Sequence, residues 1–169
     1  MIGMDSSDSS GSSDSTDSSE AWRGDKVGAA LRGENPRVFA RLPASFAAMG
    51  DTQFLPGYCV LLTDDPAATR LSDLSTAARR DYMDSVAALA AAVEGACAAA
   101  DPAFRRVNIE ILGNASPYLH THIWPRYEWE PADVVRRPVW VYPIERWHEP
   151  ATALGPQHDP LRRAIAERL

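Results

Sequence analysis

Two histidines, His120 and His122, stand one residue apart in the segment YLHTHIW (118–124). Because side chains alternate across a β-strand, both imidazoles would lie on the same face of that strand. Histidine titrates near pH 6.5, so two neighbouring imidazoles in a wet cleft can divide a reaction between them. One can attack as a neutral nucleophile, and the other can donate hydrogen to developing negative charge.

The loop before the histidines suits an anionic substrate. Gly113 permits unusual backbone conformations, and Asn114 and Ser116 offer amide and hydroxyl donors. Backbone N–H groups in such a turn can form a concave site for anions. These residues predict attack of a histidine on phosphorus in a cradle of neutral donors. Such a reaction needs no metal and no cofactor.

Two other interpretations of the histidine pair stay open when the pair is taken alone. The side chains could simply face solvent on an edge strand. They could also bind a metal, but a tetrahedral site needs a third and usually a fourth ligand at short range. The chain has no His-Glu-x-x-His motif and no paired cysteines, and the distant His148 is typical of an exposed turn. We therefore predict no metal site.

The elements that must position the histidines follow from hydrophobic periodicity. Three strand patterns precede an amphipathic helix, which begins near Leu74 with Ser72 or Ser75 as its cap and ends near Asp101. Two further strands follow, joined by a short turn, and should pair antiparallel. The order predicts an α+β domain, a mostly antiparallel sheet of about five strands with one long packed helix. The strand patterns are VFARLP (38–43), SFAAMGD (45–51), LPGYCVLLT (55–63), RVNIEIL (106–112) and YLHTHIW (118–124).

The last two strands also predict which side chains face the core. Val107, Ile109 and Ile111 share one face of the first of them. On the histidine strand, the face of Leu119, Thr121 and Ile123 is the natural core face. The histidine face is then left to line a cleft.

Composition divides the chain into a leader, a body and an extension. Residues 1–22 carry five acids and no Lys or Arg, and without them the formal charge of −6 nearly vanishes. This leader has too few apolar residues to fold, so we predict that it is disordered. Residues 23–131 form the predicted catalytic domain. Residues 132–169 form an extension rich in Trp and Pro that ends in a short helix.

The balance of charge and apolar residues excludes several classes of protein. The body has no basic stripe, which argues against binding to duplex nucleic acid. No apolar run is long enough to span a bilayer, and no signal peptide is recognisable. Cys59 and Cys97 lie far apart in apolar contexts, typical of buried thiols. We predict a cytoplasmic protein, with the tryptophans buried between extension and body or at a dimer interface.

The segment YLHTHIWPR resembles the hallmark of the histidine triad (HIT) superfamily of nucleotide hydrolases and transferases. That hallmark is His-x-His-x-His, two apolar residues and often Pro-Arg. The Pro-Arg register makes His120 the middle histidine and His122 the third, while Tyr118 falls on the first. Upstream, SFAAMGDTQFLPGYCVLL resembles the family's strand–turn–strand around Pro-Gly-His, with Tyr58 on that histidine. The resemblance covers 38–127 and implies a HIT-like fold, in the branch that lacks the first histidine.

The resemblance implies a reaction and assigns it to the two histidines. His120 would attack the α-phosphorus and form a covalent nucleotidyl intermediate, and His122 would contact the phosphate and stabilise charge. The implied activity is hydrolysis at the α-phosphate of dinucleoside polyphosphates, such as diadenosine polyphosphates, or of nucleotide conjugates. A nucleotidyltransferase with the same intermediate is one alternative. A nucleotide-binding module whose catalysis has decayed is the other.

The resemblance also implies the residues that bind the substrate. Asn114 and Ser116 would hold phosphate oxygens or the leaving group. The ribose-binding position aligns to Gly50, so the neighbouring Asp51 is carried over as the ribose ligand, and Phe46 would flank the base. The resemblance further implies a homodimer that pairs through the long helix and central strands.

Two tyrosines replace histidines that lie behind the catalytic groups in this family. Tyr118 and Tyr58 change together, which suggests an exchanged hydrogen-bonding pair, since tyrosine can donate and accept but titrates near pH 10. Beyond the histidines, Arg126 has two interpretations. It could bind phosphate, or it could pair with Glu128 or Glu130, and we favour the structural pair.

Overall fold

The protein is described by a computed structural model over residues 18–169. The first 17 residues of the predicted leader lie outside the described residues. The leader was predicted to run to residue 22, but Ser18–Gly24 forms a 3-10 helix and the Trp22 side chain is buried. The ordered body therefore begins before residue 23, because the Trp22 ring is large enough to gain from burial.

Five strands form one antiparallel sheet in the order β1-β2-β3-β5-β4. The predicted α+β fold, with its order β-β-β-α-β-β and its antiparallel final pair, is confirmed. The strands are β1 Val38–Leu42, β2 Ser45–Met49, β3 Cys59–Thr63, β4 Phe104–Glu110 and β5 His120–Tyr127. The α-helices are α1 Lys26–Leu31, α2 Thr76–Ala100, α3 Ile144–Trp147 and α4 Asp159–Ala166.

The long helix α2 covers one face of the sheet. The Ser75 side chain caps it by accepting a hydrogen bond from the Ala78 amide (3.2 Å), so Ser75 rather than Ser72 is the cap. Its buried residues recur three or four apart and pack against strands β3, β4 and β5. Among the described helices, α2 alone is long and apolar enough to cross a membrane, which its alanines explain. It is built into this domain as a core helix.

The core face of β5 is as predicted, and that of β4 differs in part. Leu119, Thr121 and Ile123 are buried. On β4, Val107 is buried, but Ile109 is 47% exposed. Strand β4 lies at the edge of the sheet and has one neighbouring strand, so its outer half is less covered.

The extension packs into the body instead of standing apart. Val139, Tyr142 and Ile165 belong to the same apolar core as the sheet and α2. Trp147 packs edge-on to Trp124 of β5, with ring centroids 5.5 Å apart. Trp124 is buried as predicted, whereas Trp129 and Trp140 are exposed within one chain, so their burial at a dimer interface stays a prediction.

The buried Arg126 side chain links β5 to the start of the extension. The Arg126 guanidinium donates from Nη2 to Oε2 of Glu130 at 2.7 Å, and both side chains are almost fully buried. The same guanidinium donates to the carbonyl oxygens of Val134, Val135 and Arg137. Arg126 therefore has the structural role that we favoured, with Glu130 as its partner.

Candidate active site

The two histidines line one cleft of about 390 Å³. His120 lies opposite Leu62 and His122 opposite Val60 in the β3–β5 pairing, so both rings leave the same face of the sheet. The ring centroids are 4.8 Å apart, nearly perpendicular to one another. The face that the strand alternation predicted is therefore the face that lines the cleft.

A backbone carbonyl fixes the hydrogen of His120. Nδ1 lies 2.8 Å from the carbonyl oxygen of Tyr118, and a carbonyl can only accept, so Nδ1–H donates. Burial, opposed by this hydrogen bond and helped by the charge of Lys26, lowers the pKa of His120 below its usual value. The imidazole is thus neutral near pH 7, with its lone pair on Nε2.

His122 is also kept neutral, and its partner is a tyrosine. Burial first, then the charges of His120 and Lys26, lowers the pKa of His122 to about 3. Its Nδ1 shares a hydrogen bond of 2.7 Å with the Tyr58 hydroxyl. Burial and then the charge of Asp51 raise the pKa of Tyr58 well above its ordinary value, so the phenol stays protonated.

Tyr58 is held in place by a glycine on one side and a tryptophan on the other. Its ring stacks on Trp124 with an interplanar angle of 6°. A Cβ at position 50 would collide with the Tyr58 ring, so Gly50 is required by this close approach. The position that aligns with the family's ribose ligand is therefore a glycine because the tyrosine needs the space.

The expectation that Tyr58 and Tyr118 exchange a hydrogen bond is not met. Tyr58 bonds to His122, while the Tyr118 ring packs on His120 with centroids 5.1 Å apart. Within the described part of the chain, the Tyr118 hydroxyl has no hydrogen bond to a protein group. Tyr58 therefore contacts His122, and Tyr118 contacts His120.

Of the two loop residues and the base-flanking residue predicted to contact the substrate, Ser116 alone lines the cleft. Ser116 lines the cleft, but Asn114 is exposed and does not, so this arrangement gives no support to its predicted contact with phosphate. Phe46 is buried in a small apolar cluster and lies under the guanidinium of Arg41. Phe46 shares the β2 face of the cleft-lining Ala48, as strand alternation requires, but it does not itself line the cleft.

Asp51 lines the cleft and is surrounded by cations. Its carboxylate accepts from Lys26 Nζ (3.1 Å), Arg37 Nε (3.1 Å) and Arg23 Nη1 (3.3 Å). Burial raises the pKa of Asp51, but these cations, Lys26 foremost, lower it overall. Both oxygens are engaged, so a role as ribose ligand would compete with three ion pairs. Sequence reasoning missed these cations and the cleft-lining Trp22.

The extension supplies a wall of the cleft that sequence reasoning also missed. Trp147, His148 and Glu149 line it. His148 is exposed, as the sequence predicts for this turn, and it also borders the cleft. Trp140 places its ring edge-on to His122, with centroids 5.1 Å apart. In the sequence, the aromatic content of the extension indicated that its rings are buried somewhere, but it did not identify the residues that they contact.

The described side chains do not form a metal site. Across residues 18–169, no three His, Cys, Asp or Glu side chains come together as ligands of one ion. The two site histidines are instead engaged with Tyr118 and Tyr58. The side chains of the cleft suit the binding of a phosphate ester and its attack by a histidine nitrogen.

The sequence profile of the HIT domain matches residues 32–129, more than half of the chain. Comparison with curated protein sequences finds no match. Among solved structures, a histidine triad protein from Sinorhizobium meliloti superposes with a TM-score of 0.63 at 20% identity, covering 78% of this chain and 88% of that one.

Two further structures share the fold. One is a histidine triad protein from Bradyrhizobium japonicum, with a TM-score of 0.56 at 22% identity over 76% of this chain and 89% of that one. The other is a Hit-like protein involved in cell-cycle regulation from Bartonella henselae, with a TM-score of 0.60 at 17% identity over 83% and 93%. These structures share the fold, and the profile match over residues 32–129 shows the family: the chain belongs to the HIT domain family of nucleotide-processing proteins.

Proposed function

We propose that the protein is a hydrolase that cleaves nucleotides at the α-phosphate through a nucleotidyl-His120 intermediate. The observation that carries this proposal is the 2.8 Å hydrogen bond from His120 Nδ1–H to the Tyr118 carbonyl. It leaves a neutral Nε2 lone pair on a ring that lines the cleft. A nucleophile needs that lone pair, and burial keeps it unprotonated near pH 7.

The reaction proceeds in two displacements. Nε2 of His120 attacks the α-phosphorus, a nitrogen–phosphorus bond forms, and the bond to the leaving group breaks with its electron pair. Water then attacks the same phosphorus, and the histidine–phosphorus bond breaks with its pair returning to Nε2. The proton of the water passes to solvent, and a nucleoside monophosphate leaves.

His122 and Tyr58 stabilise charge on the phosphoryl oxygens. The neutral Tyr58 hydroxyl donates to Nδ1 of His122 (2.7 Å), which leaves the hydrogen of His122 on Nε2. That N–H, with the Ser116 hydroxyl on the same cleft, donates to the oxygens as negative charge develops. Neutral donors do this without a metal.

The substrate class is tested with a panel. Diadenosine triphosphate, diadenosine tetraphosphate and adenosine 5′-phosphoramidate are incubated with the protein, and AMP release is followed. Release of AMP supports the hydrolase. A new nucleotide formed when phosphate or a sugar phosphate is added would reassign it as a transferase. Tight binding without any turnover would mean a binding module and would contradict the proposal.

The tautomer of His122 is tested by a matched pair of tyrosine variants. Tyr58→Phe removes the hydroxyl that bonds to His122 and should lower kcat roughly 10- to 100-fold, as loss of an orienting partner does for other ligating or catalytic histidines. Tyr118→Phe removes a hydroxyl without a described partner and should change kcat little. Steady-state kinetics on both variants checks this. Equal kcat for the two would contradict the orienting role.

The pH dependence follows from the lowered pKa values of both histidines. His120 must be unprotonated to attack, so kcat/KM should stay level as pH falls through 6.5 and decline only below it. A pH–rate profile with its acidic inflection at or above pH 6.5 would contradict this.

The lowered pKa values also affect stability. Below about pH 6.5 the two histidines bind more protons in the unfolded chain than in the folded one, so the free energy of unfolding should fall as the pH drops. For His122 this loss continues down to about pH 3, its pKa in the folded protein.

Three further predictions from the sequence concern the partners and the location of the protein. These are the homodimer, the cytoplasmic location and the absence of duplex nucleic acid or membrane among the partners. The exposed edge of β4, with Ile109 on it and Ile111 just after it, is open to pairing with a second chain.

A further inference from the structure

We propose that Lys26 and Arg37 form a binding site for a second phosphate group of the substrate, in the same cleft as the histidines. This inference rests on the proposed function, because it names which nucleotides the site would prefer. They are nucleotides that carry a phosphate besides the one attacked by His120.

The first argument is the charge of the cluster around Asp51. Three cations, Arg23, Lys26 and Arg37, contact its carboxylate. Arg23 also pairs with Glu20, so the cluster as a whole keeps one positive charge in excess. The other carboxylate that lines the cleft belongs to Glu149 and is paired at 2.6 Å with Arg146. The cluster around Asp51 therefore forms a positive wall of the cleft beside the neutral histidines.

The second argument is the number of donors left over. Arg37 donates to Asp51 through Nε at 3.1 Å, and neither of its terminal amino groups has an acceptor within residues 18–169. Lys26 uses one of three N–H donors on Asp51. The Arg37 side chain is 22% exposed and the Lys26 side chain 31%, and both line the cleft. A guanidinium fork beside an ammonium matches the oxygens and the double charge of a phosphate.

The third argument is that the cations are already positioned. Asp51 fixes them from one side, and the buried Trp22 ring lies under the charges of Arg23, Arg37 and Lys26 at 4.5, 5.5 and 6.0 Å. Cation–π contacts and ion pairs thus hold side chains that would otherwise be flexible. Little conformational entropy remains to be lost when an anion binds.

The histidines lie within reach of this wall. Lys26, Arg37, His120 and His122 line the same cleft, and the charge of Lys26 helps to lower the pKa of both histidines. A substrate whose α-phosphorus lies at His120 would place an adjoining anionic group near Lys26 and Arg37. That group could be the leaving-group phosphate or a phosphate on the sugar.

Equilibrium binding separates these sources. Dissociation constants are measured by calorimetry for AMP, for α,β-methylene-ADP, whose bridge resists cleavage, and for adenosine 3′,5′-bisphosphate. One of the two bisphosphorylated ligands is expected to bind about tenfold or more tightly than AMP, the gain of about one charge-assisted hydrogen-bonded group. The methylene analogue would identify the leaving-group phosphate, and the 3′,5′-bisphosphate would identify the sugar phosphate.

Charge-removing variants assign the preference to residues. Lys26→Gln and Arg37→Gln should each reduce the ratio of affinities, and Arg32→Gln should leave it unchanged. Arg32 is the matched control, because it lies beside α1, pairs with Asp25 and Glu34, and does not line the cleft. If a variant fails to fold, the wild-type ratio is measured against NaCl instead and should shrink as salt rises.

Several outcomes would overturn the inference. Equal affinity for all three ligands would do so, as would an unchanged ratio in both cleft variants. If Lys26→Gln weakens AMP and the other ligands by one factor, the cation holds the attacked phosphate and the second site is absent. AMP release that depends on His120, with equal binding of the three ligands, would leave the proposed function standing alone. A clear ligand preference without turnover would leave the phosphate site standing alone.

Discussion

His120→Asn is expected to abolish turnover, with kcat at least on the order of 10⁴-fold lower, the scale seen when a nucleophile is removed from a covalent mechanism. Asparagine keeps an N–H that can donate to the Tyr118 carbonyl and has no ring nitrogen to attack phosphorus. The loss should therefore appear in the chemical step while the fold persists. Single-turnover kinetics with the best substrate of the panel measures it.

His120→Ala serves as the companion variant, and melting temperatures of both report on folding. Both variants should lose turnover to the same extent, since both remove Nε2. Substrate binding should weaken much less than turnover falls. If either variant folds normally and keeps turnover near the wild-type level, His120 is not the nucleophile.

Arg126→Met is expected to cost about 3–5 kcal/mol of unfolding free energy, as loss of one partner from a buried ion pair does. The substitution leaves the Glu130 carboxylate buried with two donors, the Tyr127 amide at 2.7 Å and the Tyr142 hydroxyl at 2.7 Å. It also removes a donor from three carbonyl oxygens. Val134 O keeps the Arg137 amide (2.8 Å) and Val135 O keeps Arg105 Nη1 (3.1 Å), whereas the Arg137 carbonyl loses the donor described for it. Urea denaturation measures the change.

A surface arginine provides the comparison for Arg126. Arg162 pairs with Asp159 one turn away on α4 at 3.1 Å, and both side chains are partly exposed. Arg162→Met should cost less than about 1 kcal/mol, as exposed pairs do. If the two substitutions destabilise the protein equally, or if Arg126→Met costs less than Arg162→Met, the buried Arg126 does not stabilise the fold in the way described.

The sheet, the long helix and the histidine face could be predicted because each is written in local periodicity. Leu119, Thr121 and Ile123 mark the core face of β5, and the histidines must then face the other way. Strands with a period of two residues around a helix with a period of 3.6 leave few arrangements for five short strands. The pattern is local, and the sequence carries it in full.

The cluster of cations around Asp51 could not be predicted, because its residues come from distant segments of the chain. Lys26 and Asp51 are 25 residues apart, and Arg23 and Asp51 are 28 apart. No periodicity relates them, and Trp22 fell inside what composition indicated was an acidic leader. Charge counts also concealed the wall, since a net charge near zero over the body says nothing of where the cations gather.

The substrate loop and the tyrosines show the limits of position alone. Asn114 and Ser116 stand two residues apart, yet the loop turns Ser116 to the cleft and Asn114 to solvent. Tyr58 and Tyr118 change together in the sequence, which suggested that they touch. Side-chain direction decided otherwise, because Tyr58 is wedged between Gly50 and Trp124 with its hydroxyl at His122.

The most direct test of the account is to isolate the covalent intermediate. The protein is mixed with an adenylated substrate for less than one turnover, quenched in alkali, in which a histidine–phosphorus bond survives, and digested for mass spectrometry. The account predicts an AMP adduct on the peptide that contains His120, absent from His120→Asn. Turnover without any adduct, or an adduct on a residue other than His120, would contradict it.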